Sequence, residues 1–309
     1  MPTPEDRAAG RAQGTIGALI PSWLRSLRAG DKSNQTCKVY VEGAAQLDEF
    51  LDSRPARTAT EVTRADIEDW IISLRDRGMS PATVSSRYRA VQQFFAWCVD
   101  EEEIDRSPTE RMKSPTVPER PVPVVGEEDI RTLLASLNGR TFKDRRDAAA
   151  VRLFLDTGLR RSELASITVD DVDLDGRVVT VVGKGRRPRM VRYGAKTAVA
   201  MDRYSRARAK ERTAALPAWW LAESGRGPMT ADGVYQMIVR RAKTVGLDVH
   251  PHQLRHSWAH YFLAAGGNET DLMHNAGWRS RQMLTRYARS TAEERARESA
   301  GRLALGDRL

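Results

Sequence analysis

A chain of 309 residues that is 40% apolar and 29% charged is long enough for two ordinary domains and has the composition of a folded protein, not a disordered or fibrous one. No run approaches a membrane span and no secretory h-region opens the chain, so a cytoplasmic protein is expected. The net charge of +9 points to a polyanionic partner, and it is unevenly placed: residues 1–124 hold 17 basic and 19 acidic side chains (−2), residues 125–309 hold 33 and 22 (+11).

Residues 1–14 are small and polar and read as a disordered tail. Four helical patterns follow over 15–113. The first runs from Thr15 to Leu27, and the second from Asn34, as N-cap, to Leu51. The third opens at Thr63 with Asp66 as capping acid and stops at Gly78. Ser80-Pro81 opens the fourth, which carries Val84, Tyr88, Val91, Phe94, Phe95 and Cys98 at helical spacing. Cys37 and Cys98 have no partners at metal-ligand spacing, so buried reduced thiols are expected and no metal. Pro115, Pro118, Pro121 and Pro123 then crowd a segment that cannot continue a helix, and 114–125 reads as a linker.

The second domain, 126–309, opens with helices near 127–137 and 144–157, the latter ended by Gly158. Arg177–Val182 and Arg189–Tyr193 read as strands joined by the turn Gly183-Lys184-Gly185. Helices are expected near 195–212, 230–245, 252–265, 268–275 and 281–288, with a last one after Thr291, which forms a capping box with Glu294. The whole is mainly α, with one small antiparallel β-sheet.

Chemistry concentrates in five segments: Thr157-Gly158-Leu159-Arg160-Arg161-Ser162-Glu163-Leu164, Gly183-Lys184-Gly185, His252-Gln253-Leu254-Arg255-His256, Ala276-Gly277-Trp278 and Arg286-Tyr287. The glycine turn lacks the GxxxxGK pattern of a phosphate loop. Arg160 stands where a short helix begins, so its guanidinium and neighbouring free N–H groups can face an anion together. His252 and Arg255, at i and i+3, share a helix face, with Leu254, Trp258, Tyr261 and Phe262 on the opposite, buried stripe. Two arginines and a histidine meeting at one point need an anion between them, and a phosphate supplies it.

In order and separation these segments resemble the tyrosine recombinase (phage integrase) family, and the helical first domain resembles that family's SAM-like core-binding domain. The resemblance implies that Tyr287 attacks a scissile phosphate, forming a 3′-phosphotyrosyl link and releasing a 5′-hydroxyl. Arg160, Arg255 and His252 would hold the non-bridging oxygens, His252 is the candidate base for the tyrosine proton, and Lys184 would protonate the leaving oxygen. Trp278 stands where the family more often has histidine; its indole N–H can position but cannot shuttle protons. His274 has the wrong spacing to replace it and reads as surface. Glu163 and His256 read as supports. No metal or nucleotide cofactor is implied, because the phosphotyrosine conserves the bond for religation.

Arg186, Arg187 and Arg189 flank the Lys184 turn as candidate phosphate contacts. Arg203, Arg206, Arg208, Lys210 and Arg212 fall on one predicted helix, half or more of them simply solvated. Trp219-Trp220 suggests base stacking, though a buried pair is favoured. Arg87 and Arg89 lie on the helix that the resemblance sends into the major groove of double-stranded DNA. The core-binding pattern starts too early for a separate arm-binding domain, so simple core-type sites are expected. The resemblance also implies a homotetramer on DNA coupled through a C-terminal helix, here carrying Leu303 and Leu305, and leaves room for an accessory directionality factor. A type IB topoisomerase shares the catalytic set, but the short helical first domain and proline linker favour recombination. A non-catalytic regulator would have lost Arg160, Arg255 or Tyr287, and all three are present.

Overall fold

The computed structural model describes residues 14–52, 58–118, 123–183 and 187–278, with 280, 284, 297, 301 and 306 as single positions. Lys184, Arg186 and Tyr287 lie outside the described residues, as do nearly all of the N-terminal tail and of the helices expected over 281–288 and after Thr291. The chain divides into two compact units, 1–120 and 121–309.

The first unit holds α1 (Ile16–Ala29), α2 (Asn34–Asp52), α3 (Arg64–Asp76) and α4 (Pro81–Asp100). Thr15, Thr63 and Ser80 cap three of them by accepting backbone N–H groups, each cap contributing about 1 kcal/mol. The cap of α2 is not Asn34: Ser33 Oγ accepts the Thr36 N–H at 3.1 Å, and Asn34 already lies in the helix. Trp23 anchors the core, stacked on Tyr40 at 5.9 Å and meeting Phe94 edge-on at 5.2 Å. Cys37 and Cys98 are free and buried, and burial, with Glu103 adding to it, pushes the Cys98 thiol up to about 12.

The second unit holds α5 (Glu127–Ala135), α6 (Phe142–Thr157), α7 (Arg161–Ala165), β1 (Val172–Asp173), β2 (Val178–Val182), β3 (Pro188–Arg192), α8 (Ala195–Arg208), α9 (Ala231–Lys243), α10 (Pro251–Ala264) and α11 (Glu269–Ala276). The sheet is antiparallel in the order β1-β2-β3, with Val179 opposite Val191 and Val181 opposite Arg189. Val179, Val181 and Val191 are buried and turn one face of the hairpin into the core. Val125, expected in the linker, belongs to this unit. Its N–H donates to Ser257 Oγ at 2.8 Å and its carbonyl accepts from the Tyr261 hydroxyl at 2.9 Å, pinning the chain to α10.

Helix α8 ends at Arg208, short of the expected 212, because the buried Arg208 guanidinium gathers the carbonyls of Ala214, Leu216, Ala218 and Trp219 at 2.6–3.1 Å. Lys210 and Arg212 therefore lie beyond the helix, and Arg208 holds the fold. Trp219 and Trp220 are 4% and 0% exposed, packed on Tyr204, so they are a buried pair and no platform for bases. Asp147, fully buried, accepts from Arg146 and from Arg241, tying α6 to α9. Among the described residues no helix is long and apolar enough to cross a membrane.

Candidate active site

Helix α6 stops because Gly158 takes a left-handed conformation, φ 56°, which lets the chain turn sharply into α7. A Cβ at Gly158 would lie 2.0 Å from Trp258 Cε3, so packing also demands glycine here. Trp258 Nε1 donates to the carbonyl of Asp156 at 3.0 Å, locking α10 against the end of α6. Two residues beyond the cap, Arg160 is the N-cap residue of α7.

Arg160 is engaged on both sides. Its Nη1 donates to Glu163 Oε1 at 2.7 Å and its Nη2 to the Gly277 carbonyl at 3.1 Å. Its own backbone N–H donates to Glu163 Oε2 at 2.9 Å, because the acid three residues on caps the helix. The side chain remains 35% exposed, enough to meet a ligand.

Arg255 is more buried than its expected place beside His252 implied, at 5% exposure. Its Nη1 donates to the Gly158 carbonyl and its Nη2 to the Ala276 carbonyl at 2.8 Å. The guanidinium carbon lies 5.6 Å from the centre of the Trp278 ring. The spacing explains the burial: Arg255 precedes Trp258, Ala259 and Phe262 by three, four and seven residues and shares their stripe, while His252, at the helix start, is more open to solvent yet has its ring against His256. The Gly158 and Ala276 carbonyls make that burial affordable.

Helix α11 closes the arrangement with Gly277, φ 63°, as its left-handed cap, so that the carbonyls of Ala276 and Gly277 point at Arg255 and Arg160 in succession. Trp278 follows, 7% exposed among Trp258, Leu263 and Leu272. His274 is exposed, as expected.

His252 and the buried His256 meet through their Nε2 atoms at 3.1 Å, ring centroids 4.5 Å apart, so one Nε2 must carry the proton and the other accept it. Burial first, then the charges of Arg255 and His250, holds the His252 imidazole below its ordinary value and favours the neutral ring.

Glu163, 4% exposed, accepts from two arginines. Burial pushes its carboxyl up, but the hydrogen bonds from Arg189 and Arg160 outweigh this and hold it below the usual carboxylate range. Arg189 thus departs from its expected place among the phosphate contacts. Its side chain is 8% exposed; Nη1 and Nη2 donate to Glu163 at 3.1 and 2.8 Å, and Nε donates to the Asn275 carbonyl at 2.9 Å. The signal was present in the strand alternation: Arg189 has the parity of buried Val191, whereas Met190 and Arg192 point outward. Arg187 is exposed. In the first unit Arg89 is exposed, but Arg87 donates through Nη1 to Glu42 at 2.9 Å and to the Val39 carbonyl at 3.3 Å, bridging α4 and α2.

A model of the phage integrase family matches residues 123–294, and one of the phage integrase N-terminal SAM-like domain matches 19–105. The chain belongs to the phage integrase family. Its relatives include tyrosine recombinase XerC of Roseiflexus castenholzii, 33% identical over 257 residues that span 80% of this chain and 81% of that one. XerC of Corynebacterium efficiens is 30% identical, covering 76% of each chain. Similar solved structures are the XerH recombinase bound to a palindromic difH substrate, TM-score 0.73 at 14% identity over 92% of this chain and 84% of that one, and the Tn1549 transposon integrase with circular intermediate DNA, TM-score 0.72 at 20% identity over 94% and 100%. These last two show a shared fold: a helical SAM-like unit and a mostly helical catalytic unit with a small antiparallel sheet. As a member of the phage integrase family with tyrosine recombinase relatives, the protein is a site-specific DNA recombinase.

Proposed function

We propose that the protein exchanges strands between two core-type sites in double-stranded DNA through a 3′-phosphotyrosyl intermediate on Tyr287. The observation that carries this reading is the convergence of Arg160 and Arg255, 95 residues apart in sequence, on the consecutive carbonyls of Gly277 and Ala276, with Trp278 next in the chain. The guanidiniums of Arg160, Arg189 and Arg255 outnumber the single carboxylate of Glu163, which leaves excess positive charge where a phosphodiester would sit.

In the reaction, Arg160 and Arg255 stabilise the non-bridging oxygens and His252 assists from the helix start. The Tyr287 oxygen bonds to phosphorus as the bond to the 5′-oxygen breaks, and Lys184 delivers a proton to that oxygen. An unperturbed phenol, with a pKa of about 10, is ionised in only about one molecule in a thousand at neutral pH. The neutral His252 ring is the group suited to take its proton. Strand exchange reverses the step with a 5′-hydroxyl from the partner duplex, and the phosphodiester count is conserved throughout. The protein works as four protomers on two duplexes, and the segment with Leu303 and Leu305 supplies the contact between them. Arg89, Arg187 and Arg186 are the proposed DNA contacts.

The test is a nicked suicide substrate that traps the covalent intermediate. Tyr287→Phe is expected to bind the site as the wild type does and to form no adduct; an adduct at wild-type level removes Tyr287 from the role.

A further inference from the structure

We propose that Arg189 is a positioning residue for cleavage, pinning the hairpin that carries the Lys184 turn to the Arg160–Glu163 pair. The inference rests on the proposed role of Lys184 and extends it to a residue that acts through Glu163 and the hairpin.

Arg189 joins three segments that each contribute to the site. It grows from β3, two residues after Arg187. Its two terminal nitrogens grip both oxygens of Glu163, the acid that also takes the backbone and side-chain N–H groups of Arg160. Its Nε reaches the Asn275 carbonyl, the residue before the two carbonyls that hold Arg255 and Arg160. At the other end of the turn, Gly183 is equally close: a Cβ built there would lie 3.3 Å from Arg189 Nη1 and 3.6 Å from Glu163 Oε1, and Gly183 N–H donates to the Arg187 carbonyl at 3.0 Å. The β3 side of the Lys184 turn is therefore tied to one buried carboxylate, and the β2 side is tied to β3 through Gly183.

The geometry argues against a phosphate contact. Every nitrogen of the guanidinium donates to a protein acceptor, and both terminal nitrogens face the Glu163 carboxylate, so its charge is already matched by an anion. Lysine cannot reproduce the arrangement, because it lacks both the fork that matches a carboxylate and the third donor on Nε. Loss of the clamp leaves Arg160 paired with Glu163 and frees the hairpin, so the proton donor is displaced. Misplacement of a catalytic group by about 1 Å lowers rates by up to about a hundredfold.

The experiment compares wild type, Arg189→Lys, Arg189→Met and Lys184→Ala in single-turnover cleavage at saturating protein. One substrate has the normal 5′-oxygen leaving group and the other a 5′-bridging sulfur, whose thiolate leaves without a proton. Both Arg189 variants are expected to bind the site within about threefold of wild type with an unchanged salt dependence, since no phosphate contact is lost. They should cleave the oxygen substrate about 10- to 100-fold more slowly and recover most of that loss on the sulfur substrate, as Lys184→Ala should. If Lys184→Ala is not recovered by sulfur, the general-acid role of Lys184 fails. If Lys184→Ala is recovered and the Arg189 variants are not, the positioning role fails. Weakened binding with normal cleavage at saturation, or loss of site binding in both Arg189 variants, also overturns it.

Discussion

His252 shows how one residue's surroundings set its chemistry. Its ring touches His256, and burial, Arg255 and His250 all disfavour the imidazolium. An unfolded histidine takes up its proton near pH 6.5, whereas the folded ring resists until lower pH. The stability this group contributes is therefore complete above about pH 6.5 and is lost as the pH falls through the lowered folded value. Catalysis should follow the same sign. If the neutral ring assists Tyr287, the acidic limb of kcat/KM for adduct formation lies below pH 6.5. A rate that climbs as the solution is acidified through that range would mean that the protonated ring is the working form. His256 limits the choice further, because the shared Nε2 contact can hold a single proton while both rings are neutral.

At the scale of elements, the turn from α6 into α7 places the first arginine, and Gly158 makes it possible. Gly158→Ala would put a non-glycine residue at φ 56°, costing about 1 kcal/mol, and drive a methyl into the Trp258 ring, costing about 1–3 kcal/mol more. The expected outcome is a loss of about 2–4 kcal/mol in denaturant unfolding; an unchanged midpoint would show that the ring moves aside freely. Because the Gly158 carbonyl also receives Arg255, adduct formation should fall as well. The sequence made such elements legible where local rules dominate. Thr63 with Asp66, Ser80 with Pro81, and Gly158 all act through neighbours within a turn, and they mark ends correctly. It failed where a distant partner decides. The end of α8 depends on carbonyls 6–11 residues beyond Arg208, and β1 is a two-residue strand too short to show a period. The inward turn of Arg189 depends on Glu163, 26 residues away, so a basic side chain beside a basic turn read as a phosphate contact. The periodicities place Arg189 and Arg255 on interior faces, against the usual solvation of arginine, and it is the Glu163, Gly158 and Ala276 acceptors that make the interior position possible.

The whole molecule is electrically divided. The unit boundary at residue 120 separates a first unit of −2 from a second of +11, so broad electrostatic attraction to DNA belongs to the catalytic unit. The near-neutral helical unit has little to gain from phosphate alone, which is why the proposed reading gives it selective contacts such as Arg89. This division bears on the choice between recombination and simple relaxation, because both proceed through the same phosphotyrosyl bond. A relaxing enzyme needs one protomer on any duplex, held by charge. A recombinase needs its selective unit satisfied before cleavage and a second duplex to receive the strand. On supercoiled plasmid lacking a recombination site, the full chain should therefore bind at low salt yet leave the superhelical density unchanged over many equivalents of enzyme. A plasmid with two sites should yield excised or inverted products, resolved by restriction digestion. Rapid relaxation of the site-free plasmid would mean that charge alone licenses cleavage, and the first unit would then be a clamp with no discriminating role.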